Sequence, residues 1–433
     1  MRHTERKVGK SGAQGGAEAE NVSAIIGLVT AGNGYFSAVS FVYRAAEFVF
    51  LFAFIIFLAV YGFANVGEIT YEKAEYVLRN FTLKLDENSE NRTEIIYDPD
   101  SRQSFALFGK GLSVAGNSGI TVFSATGRKT CSAQYSMTSA ALSASDKYSA
   151  VYDSGGTEYL IFNSFSRVFR GTSEFPVRSL CMSDSGRYLM ITGDSEYNSA
   201  VRLYSSDFEL MTVFRKNGYV TAAALDPEGK RILIATVDID SSGSGGFRTE
   251  LTLYETGGDS PALTLDAGNV FPMRAFFLAP GDAGGDGGFG LLCRDRLLIW
   301  SPSGTQVCDS RFGGGNVELF ASSGDTAAVV LRHTDSGVSV TYSITVAGNG
   351  GYSKYSSPLE TDGGGRPSSL TVGGGRAFCL MPGNGTVFAM SSSDGAKKTY
   401  SCGRSDVEEI LAYGREDLYL LCRSSAFTFD AAP

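Results

Sequence analysis

Two hydrophobic patterns divide the chain. From Phe48 to Ala64 the residues are continuously apolar or small, and the first polar amide is Asn65. Extended back to Phe41, past Arg44 and Glu47, and forward to Val66, the stretch is long enough to cross a bilayer core. That crossing takes ~20 apolar residues as a helix. Tyr43 and Tyr61 stand near its two ends, where amphipathic rings meet the headgroups. The pattern predicts one transmembrane helix over residues 38–66, with Phe48, Leu51, Phe54, Ile55, Leu58 and Tyr61 in its core. A buried helix of a soluble domain is the alternative, but a segment with no polar face is hard to place there. A cleaved signal peptide fits less well still. The segment starts far from Met1, and no small-x-small cleavage site follows it.

The second pattern begins near residue 101 and repeats. Its marker is an alternating segment that ends in a large side chain and runs into a polar turn. ITVFSATG gives Phe123, YLIFNS Phe162, VRLYSS Tyr204, LTLYET Tyr254, LLIWSPSG Trp300, VSVTYS Tyr342, TVFAMSS Met390 and SAFTFDA Phe429. A continuously apolar run precedes each marker, as in RYLMITG and RILIATV, which suits a strand covered on both faces. Before that comes a run rich in Ala and Ser, as in TSAALSA and VTAAALD. Tight turns link these two, as in Ser183-Asp-Ser-Gly186 and Asp226-Pro-Glu-Gly229, where Asp, Pro and Gly have their turn chemistry. A more polar run follows each marker except the last, as in RVFRGTS and ELMTVFRK.

Four strands in a repeat of this length predict an all-β fold, a β-propeller. Small residues suit the inner strand at a narrow channel, and polar ones suit the outer edge. The sequence predicts eight blades, or seven if two repeats merge. The eighth lacks its outer strand, because the chain ends soon after Phe429. The missing strand must come from the N-terminal side, from Tyr76–Leu85 or from Glu94–Asp98, which leaves no split edge in the ring. The predicted organisation is a disordered tail and juxtamembrane segment (1–37), the helix (38–66), a stalk and ring-closing strand (67–100) and the propeller (101–433).

Composition narrows the function. The net charge of −9 includes a basic N-terminal tail, so the long C-terminal part is acidic and lacks the basic footprint of a nucleic-acid binder. Arg2, Arg6, Lys7, Lys10 and Arg44 precede the apolar stretch, whereas Lys73, Arg79 and Lys84 after it are diluted by Glu68, Glu72 and Glu75. That bias predicts a cytoplasmic N-terminus and a propeller outside, in the cell membrane as a single-pass protein. Seven cysteines make no CxxC pair, and only two histidines are present, so no zinc set and no cofactor site is predicted. Most of the cysteines sit in apolar runs as small buried hydrophobes. Cys308 and Cys402 have polar neighbours, which leaves a disulfide open.

No catalytic motif emerges. A nucleophilic triad needs a base, and past residue 100 the chain has only His333, predicted at a hairpin turn. Acidic loops occur at Asp238–Asp240, Asp282–Asp286 and Asp335. A calcium loop needs regularly spaced oxygens and a distal Glu, and although Asp282-Ala-Gly-Gly-Asp-Gly-Gly is suggestive, a Gly-rich surface insertion is the better reading. The Gly runs at 313–315, 363–365 and 373–375 open no helix, so they are not phosphate loops. Asn80, Asn91 and Asn384 head N-x-Thr acceptor patterns. Ser183-Asp-Ser-Gly-Arg-Tyr resembles the structural Asp turn of sialidase-type propellers.

In its layout and in blade phrases such as VRLYSSDFELM, the chain over roughly residues 40–430 resembles an uncharacterised bacterial family catalogued as a domain of unknown function. The resemblance implies a short cytoplasmic tail, one span and a propeller outside, and carries no catalytic residues. The leading expectation is a non-enzymatic binding or scaffolding module for an envelope protein, peptide or glycan. Its predicted surfaces are the long insertions Asp238–Arg248 and Ala279–Gly288. The alternatives are an envelope polysaccharide-active enzyme with carboxylates at the channel, and a one-pass sensor. Oligomeric state is not read from the sequence.

Overall fold

A computed structural model describes residues 39–56, 94–100, 103–239, 246–258, 260–281, 287–335, 339–360, 365–381 and 385–431. Two compact units divide at residues 79 and 80. In the first, the described residues form one helix, α1 (Val39–Ile56), with a mean hydropathy of 1.9 and none of it buried. At 1.5 Å per residue it is about 27 Å long, close to a bilayer core. Phe48, Leu51, Phe54 and Ile55 lie on it and are all exposed. Apolar residues lie on every side of it, and by length and composition it is apolar enough to cross a membrane. Leu58, Tyr61 and the rest of the predicted span lie outside the described residues, as do Asn80, Asn91 and Asn384.

In the second unit the first described element is β1 (Ile95–Ile96), and the described strands form eight four-stranded antiparallel sheets. Blade 1 is β2–β5 (Ser104–Phe108, Gly111–Ala115, Gly119–Phe123, Lys129–Gln134) and blade 2 is β6–β9 (Ala140–Ala144, Ser149–Asp153, Glu158–Phe162, Arg167–Thr172). Blade 3 is β10–β13 (Val177–Met182, Tyr188–Thr192, Ser199–Tyr204, Leu210–Lys216) and blade 4 is β14–β17 (Tyr219–Leu225, Arg231–Ile239, Phe247–Glu255, Pro261–Gly268). Blade 5 is β18–β21 (Pro272–Leu278, Gly288–Cys293, Arg296–Trp300, Gln306–Arg311) and blade 6 is β22–β25 (Asn316–Ser323, Thr326–Asp335, Ser339–Gly348, Ser353–Leu359). Blade 7 is β26–β29 (Ser369–Gly373, Arg376–Met381, Thr386–Ser391, Lys397–Ser401). Blade 8 is β30–β32 (Val407–Ala412, Asp417–Cys422, Ser425–Asp430) with β1 as its outer strand.

No single core holds this ring. Each blade packs on the next through its own apolar cluster, such as Leu233, Ala235 and Leu251 of blade 4 against Phe289, Leu291 and Trp300 of blade 5. Repetition of one interface lets a chain of this length bury its surface without an outsized core. The second strand of a blade touches both neighbours, which is why β11 and β19 are apolar and buried throughout. The outer strand has one face on solvent, and β5 accordingly alternates.

Closure uses the same chemistry. Ile95 pairs with Ala426 and joins Leu112 and Phe123 of blade 1 and Tyr419 and Leu421 of blade 8 in one buried cluster. Tyr97 follows, and its hydroxyl lies 2.6 Å from the Cys422 carbonyl and 2.9 Å from that of Ser425. Of the two candidate closing segments, 94–98 supplies the strand, and Tyr76–Leu85 lies outside the described residues.

The repeat markers share a register. Phe123, Phe162, Tyr204, Tyr254 and Trp300 each sit where the third strand shifts by one residue against the fourth, a β-bulge just before the turn. The large ring there covers the second strand. Tyr204 stacks on its cross-strand partner Tyr188 at 4.6 Å, and Trp300 on Phe289 at 6.1 Å. Met390 and Phe429 occupy the same register opposite Ala377 and Leu418, without a bulge. Tyr342 does not. In blade 6 that place belongs to Ala347, and Tyr342 lies well inside β24. The hairpin β23–β24 runs on past the usual turn, so the aromatic-then-polar phrase falls in mid-strand. For the same reason His333 is not in a turn. It pairs with Thr341, and its Nε2 is 2.9 Å from the Ser343 hydroxyl.

Candidate functional site

The antiparallel order of each blade sends its first-to-second turn and its third-to-fourth turn to one end of the channel. The second-to-third turn and the crossing to the next blade fall at the other end. The two predicted insertions therefore part company. Asp238–Arg248 tops the second-to-third hairpin of blade 4, and Ala279–Gly288 is the first-to-second turn of blade 5. Residues 240–245 and 282–286 within them lie outside the described residues.

At the first-to-second end, Leu107, Ala144, Met182, Leu225, Phe277 and Ser322 hold the same register on the inner strands of blades 1 to 6. They line a cavity of about 1050 Å³. Its rim carries Asp146, Asp184, Asp226, Glu228 and Glu255 against Lys230 and Arg231, an excess of acid.

Most of these charges also build the turns. The Asp184 carboxylate accepts the Asp146 backbone N–H at 2.7 Å, and the Asp184 N–H donates to the Pro227 carbonyl at 2.8 Å. Three successive blades are thus tied edge to edge. Asp226 accepts the N–H groups of Lys230 at 2.6 Å and Arg231 at 3.0 Å and the Arg231 Nε at 3.2 Å. Gly229 takes a φ of 71° to close that turn. Arg231 also lies over the Phe277 ring at 5.2 Å, and Arg187 donates to the Gly229 carbonyl at 2.9 Å and to Thr256 at 3.1 Å. Burial, and after it the charge of Asp184, hold the Asp146 carboxyl above the usual carboxylate range, with Lys147 opposing. Glu228 stays exposed and pairs with Lys230.

Inside the channel the inner strands of blades 3, 4, 5, 6 and 8 each carry a bulge, at Arg178, Thr221, Met273, Glu318 and Glu408. Beside the last, burial pushes the Glu409 carboxyl up to about 7. Among the described residues no group of His, Cys, Asp and Glu could hold a metal ion. All seven cysteines are free, including Cys308 and Cys402.

Asp184, Asp226 and Glu228 lie in the two turns marked in the sequence and Ala279 begins a predicted surface insertion, whereas Asp146 and Glu255 carry no such mark. Asp146, Asp184 and Asp226 recur in the turns that follow the Ala/Ser-rich strands, and in the sequence turn chemistry alone accounts for them.

The part of the ring that forms this mouth overlaps a known family. Residues 85–260 match DUF5711, a family of unknown function. The DUF5711 match runs from ahead of β1 through β16, so it takes in the Asp146, Asp184 and Asp226 turns and leaves blades 5 to 8 outside. The resemblance read from blade phrases meets a family of unknown function on this segment. No curated protein matches the chain. Among solved structures, the chain is similar to the WD40 domain of Pan2 from Neurospora crassa, at 10% identity over 68% of this chain and 89% of that one, with a TM-score of 0.42. It is also similar to the WD40 domain of SCAP from fission yeast, at 10% identity over 79% and 94%, with a TM-score of 0.48.

Proposed function

We propose that this chain is a membrane-anchored β-propeller that acts as a non-enzymatic binding or scaffolding module, with its propeller on the extracytoplasmic side. The observation that carries the reading is the mouth of about 1050 Å³, a largely apolar ring of equivalent inner-strand residues under an acidic rim. Concave, largely apolar sites with a few fixed polar groups are where ligands bind. Two of the rim carboxylates, Asp184 and Asp226, are already oriented by backbone N–H groups, which gives that part of the mouth a formed surface. An envelope protein or peptide with basic and apolar side chains suits it better than a neutral glycan. Anchoring rests on α1, and sidedness on the Lys and Arg residues that precede it. The test is site-specific photo-crosslinking in intact cells, with a photoreactive residue at Glu228 or Glu255 and, as controls, at exposed Leu210 and Ile96. One adduct formed from the mouth positions alone is the expected result. Equal adducts from all four, or none from the mouth, would refute it.

A second reading has one observation in its favour. Asp146, its carboxyl raised by burial and by the charge of Asp184, stands next to a second carboxylate, and polysaccharide-cleaving enzymes work with two carboxyl groups. Release of soluble sugar from purified envelope polysaccharide, abolished by Asp146→Asn, would establish it in place of the binding role.

A further inference from the structure

The opposite end of the channel carries a second, separate feature. Blade 5 passes from β19 to β20 through two residues, Arg294 and Asp295. On either side the equivalent hairpins are long, with paired residues out to Ile239 and Phe247 in blade 4 and to Asp335 and Ser339 in blade 6. A short hairpin between two long ones leaves a cleft of about 470 Å³, lined by Phe247, Phe271, Met273, Arg294, Asn316 and Val317.

Its walls are apolar and set in place. Phe247 and Phe271 meet edge to face at 6.0 Å, a favoured aromatic geometry. Met273 is the bulged residue of β18, turned out of the ladder register by the shift between Pro272 and Arg274. Phe271 and Met273 each remain 44% exposed, and Ile239, paired with Phe247, is 83% exposed. Large apolar groups gathered in the open mark interaction sites on soluble surfaces.

The charge at the cleft is unbalanced. The Arg294 backbone N–H donates to the Phe271 carbonyl at 3.0 Å, which fixes the turn. Its guanidinium has no ion pair or hydrogen bond among the described residues. Asp295 is engaged by Arg296, Asp266 by Arg248 and Glu318 by Arg366. In a chain of net charge −9, this exposed, unpaired arginine beside an apolar cleft offers a charge complement to an anion from outside.

We propose that this cleft docks a peptide segment of a partner protein that presents a large apolar side chain next to a carboxylate. The apolar side chain packs between Phe247, Phe271 and Met273. The carboxylate takes a paired hydrogen bond from Arg294, whose planar fork fits two oxygens.

The test uses the full chain in detergent micelles and a displayed library of random twelve-residue peptides. The chain should enrich peptides with Phe, Trp, Leu or Met within two positions of Asp, Glu or a free C-terminus. Affinity of those peptides should fall roughly tenfold or more in Arg294→Ala, the scale of a lost charged hydrogen bond. Arg294→Glu should turn the selection toward Lys and Arg, and Phe271→Ala should weaken all enriched peptides. Tyr352→Ala, an exposed change between the third and fourth strands of blade 6, should leave them unaffected. No enrichment, enrichment without an acid, or indifference to both Arg294 and Phe271 changes would overturn the proposal. So would a dimer by light scattering that Phe271→Ala dissolves, since a second copy would then own the cleft. These outcomes leave the reading of the acidic mouth where it stands, because that mouth is at the other end of the channel.

Discussion

Neighbouring isoleucines at the closing strand should differ sharply in their worth. Ile95 is 2% exposed and Ile96 73%, because successive strand residues face opposite ways. Ile95 touches both the first and the last blade, so Ile95→Ala removes packing from the one seam that covalent order does not maintain. Ile→Ala in a core costs about 2–5 kcal/mol. A two-residue strand can shift to fill part of the gap, so about 2–3 kcal/mol is expected here. Ile96→Ala should stay within about 0.5 kcal/mol. Tyr97→Phe should fall between them, at about 1 kcal/mol for the lost hydroxyl bonds. A ring of eight blades need not unfold in one step, so a midpoint from melting is the wrong readout. Hydrogen exchange of the full chain in micelles, followed in β31, β32 and β3, reports the seam itself. The Ile95→Ala cost corresponds to roughly 30- to 150-fold faster exchange there, with distant blade 4 unchanged. If Ile95→Ala and Ile96→Ala behaved alike, or if protection fell equally in all blades, the account of closure would be wrong.

Two further expectations concern titration. Glu409 is pushed up to about 7 by burial, well above an unfolded glutamate near 4.5. The folded state therefore binds the extra proton between those values, so the contribution is full below about pH 4.5, is lost as pH rises to about 7 and is flat above, for roughly 3 kcal/mol at most. Denaturant titrations should show Glu409→Gln more stable than wild type at pH 8 and lacking that decline; equal pH profiles would contradict the assignment. Burial also raises the thiols of Cys293 and Cys379 to about 12 and of Cys402 and Cys422 to about 11. Intact mass after alkylation at pH 8 should show these four unmodified in the folded chain and all seven modified in denaturant. Rapid alkylation of Cys379 in the folded chain would count against this burial.

The blades were legible because each solves the same problem with the same period. A marker such as Trp300 signals a ring over the second strand, and RYLMITG signals a strand with two covered faces. Tyr342 shows the limit. Its phrase has the right residue types, but alternation does not say how far a hairpin extends before it turns. The bulges at Met273 and Glu318 left no trace either, since a register shift is a relation between two strands. Closure was narrowed to two segments and no further, because two residues of β-type sequence occur in both. The sites were the least legible. Arg294 is set apart by its place beside Phe271 and Met273 in the cleft, and that placement depends on the fold.

The hydroxyl of Tyr97 meets a carbonyl that lies 325 residues later in the chain. At ribosomal speeds of about 5–20 residues per second, that partner emerges roughly 16–65 s after the tyrosine. Throughout that interval the outer strand of the last blade has been made and has nothing to pair with, and the inner flank of blade 1 stays uncovered. Nascent chains therefore pass through an open arc with one apolar flank and an unpaired strand, whatever order the middle blades adopt. A stop codon or proteolytic cut within blade 8 would do more than delete a repeat, because it would make that transient arc the final product.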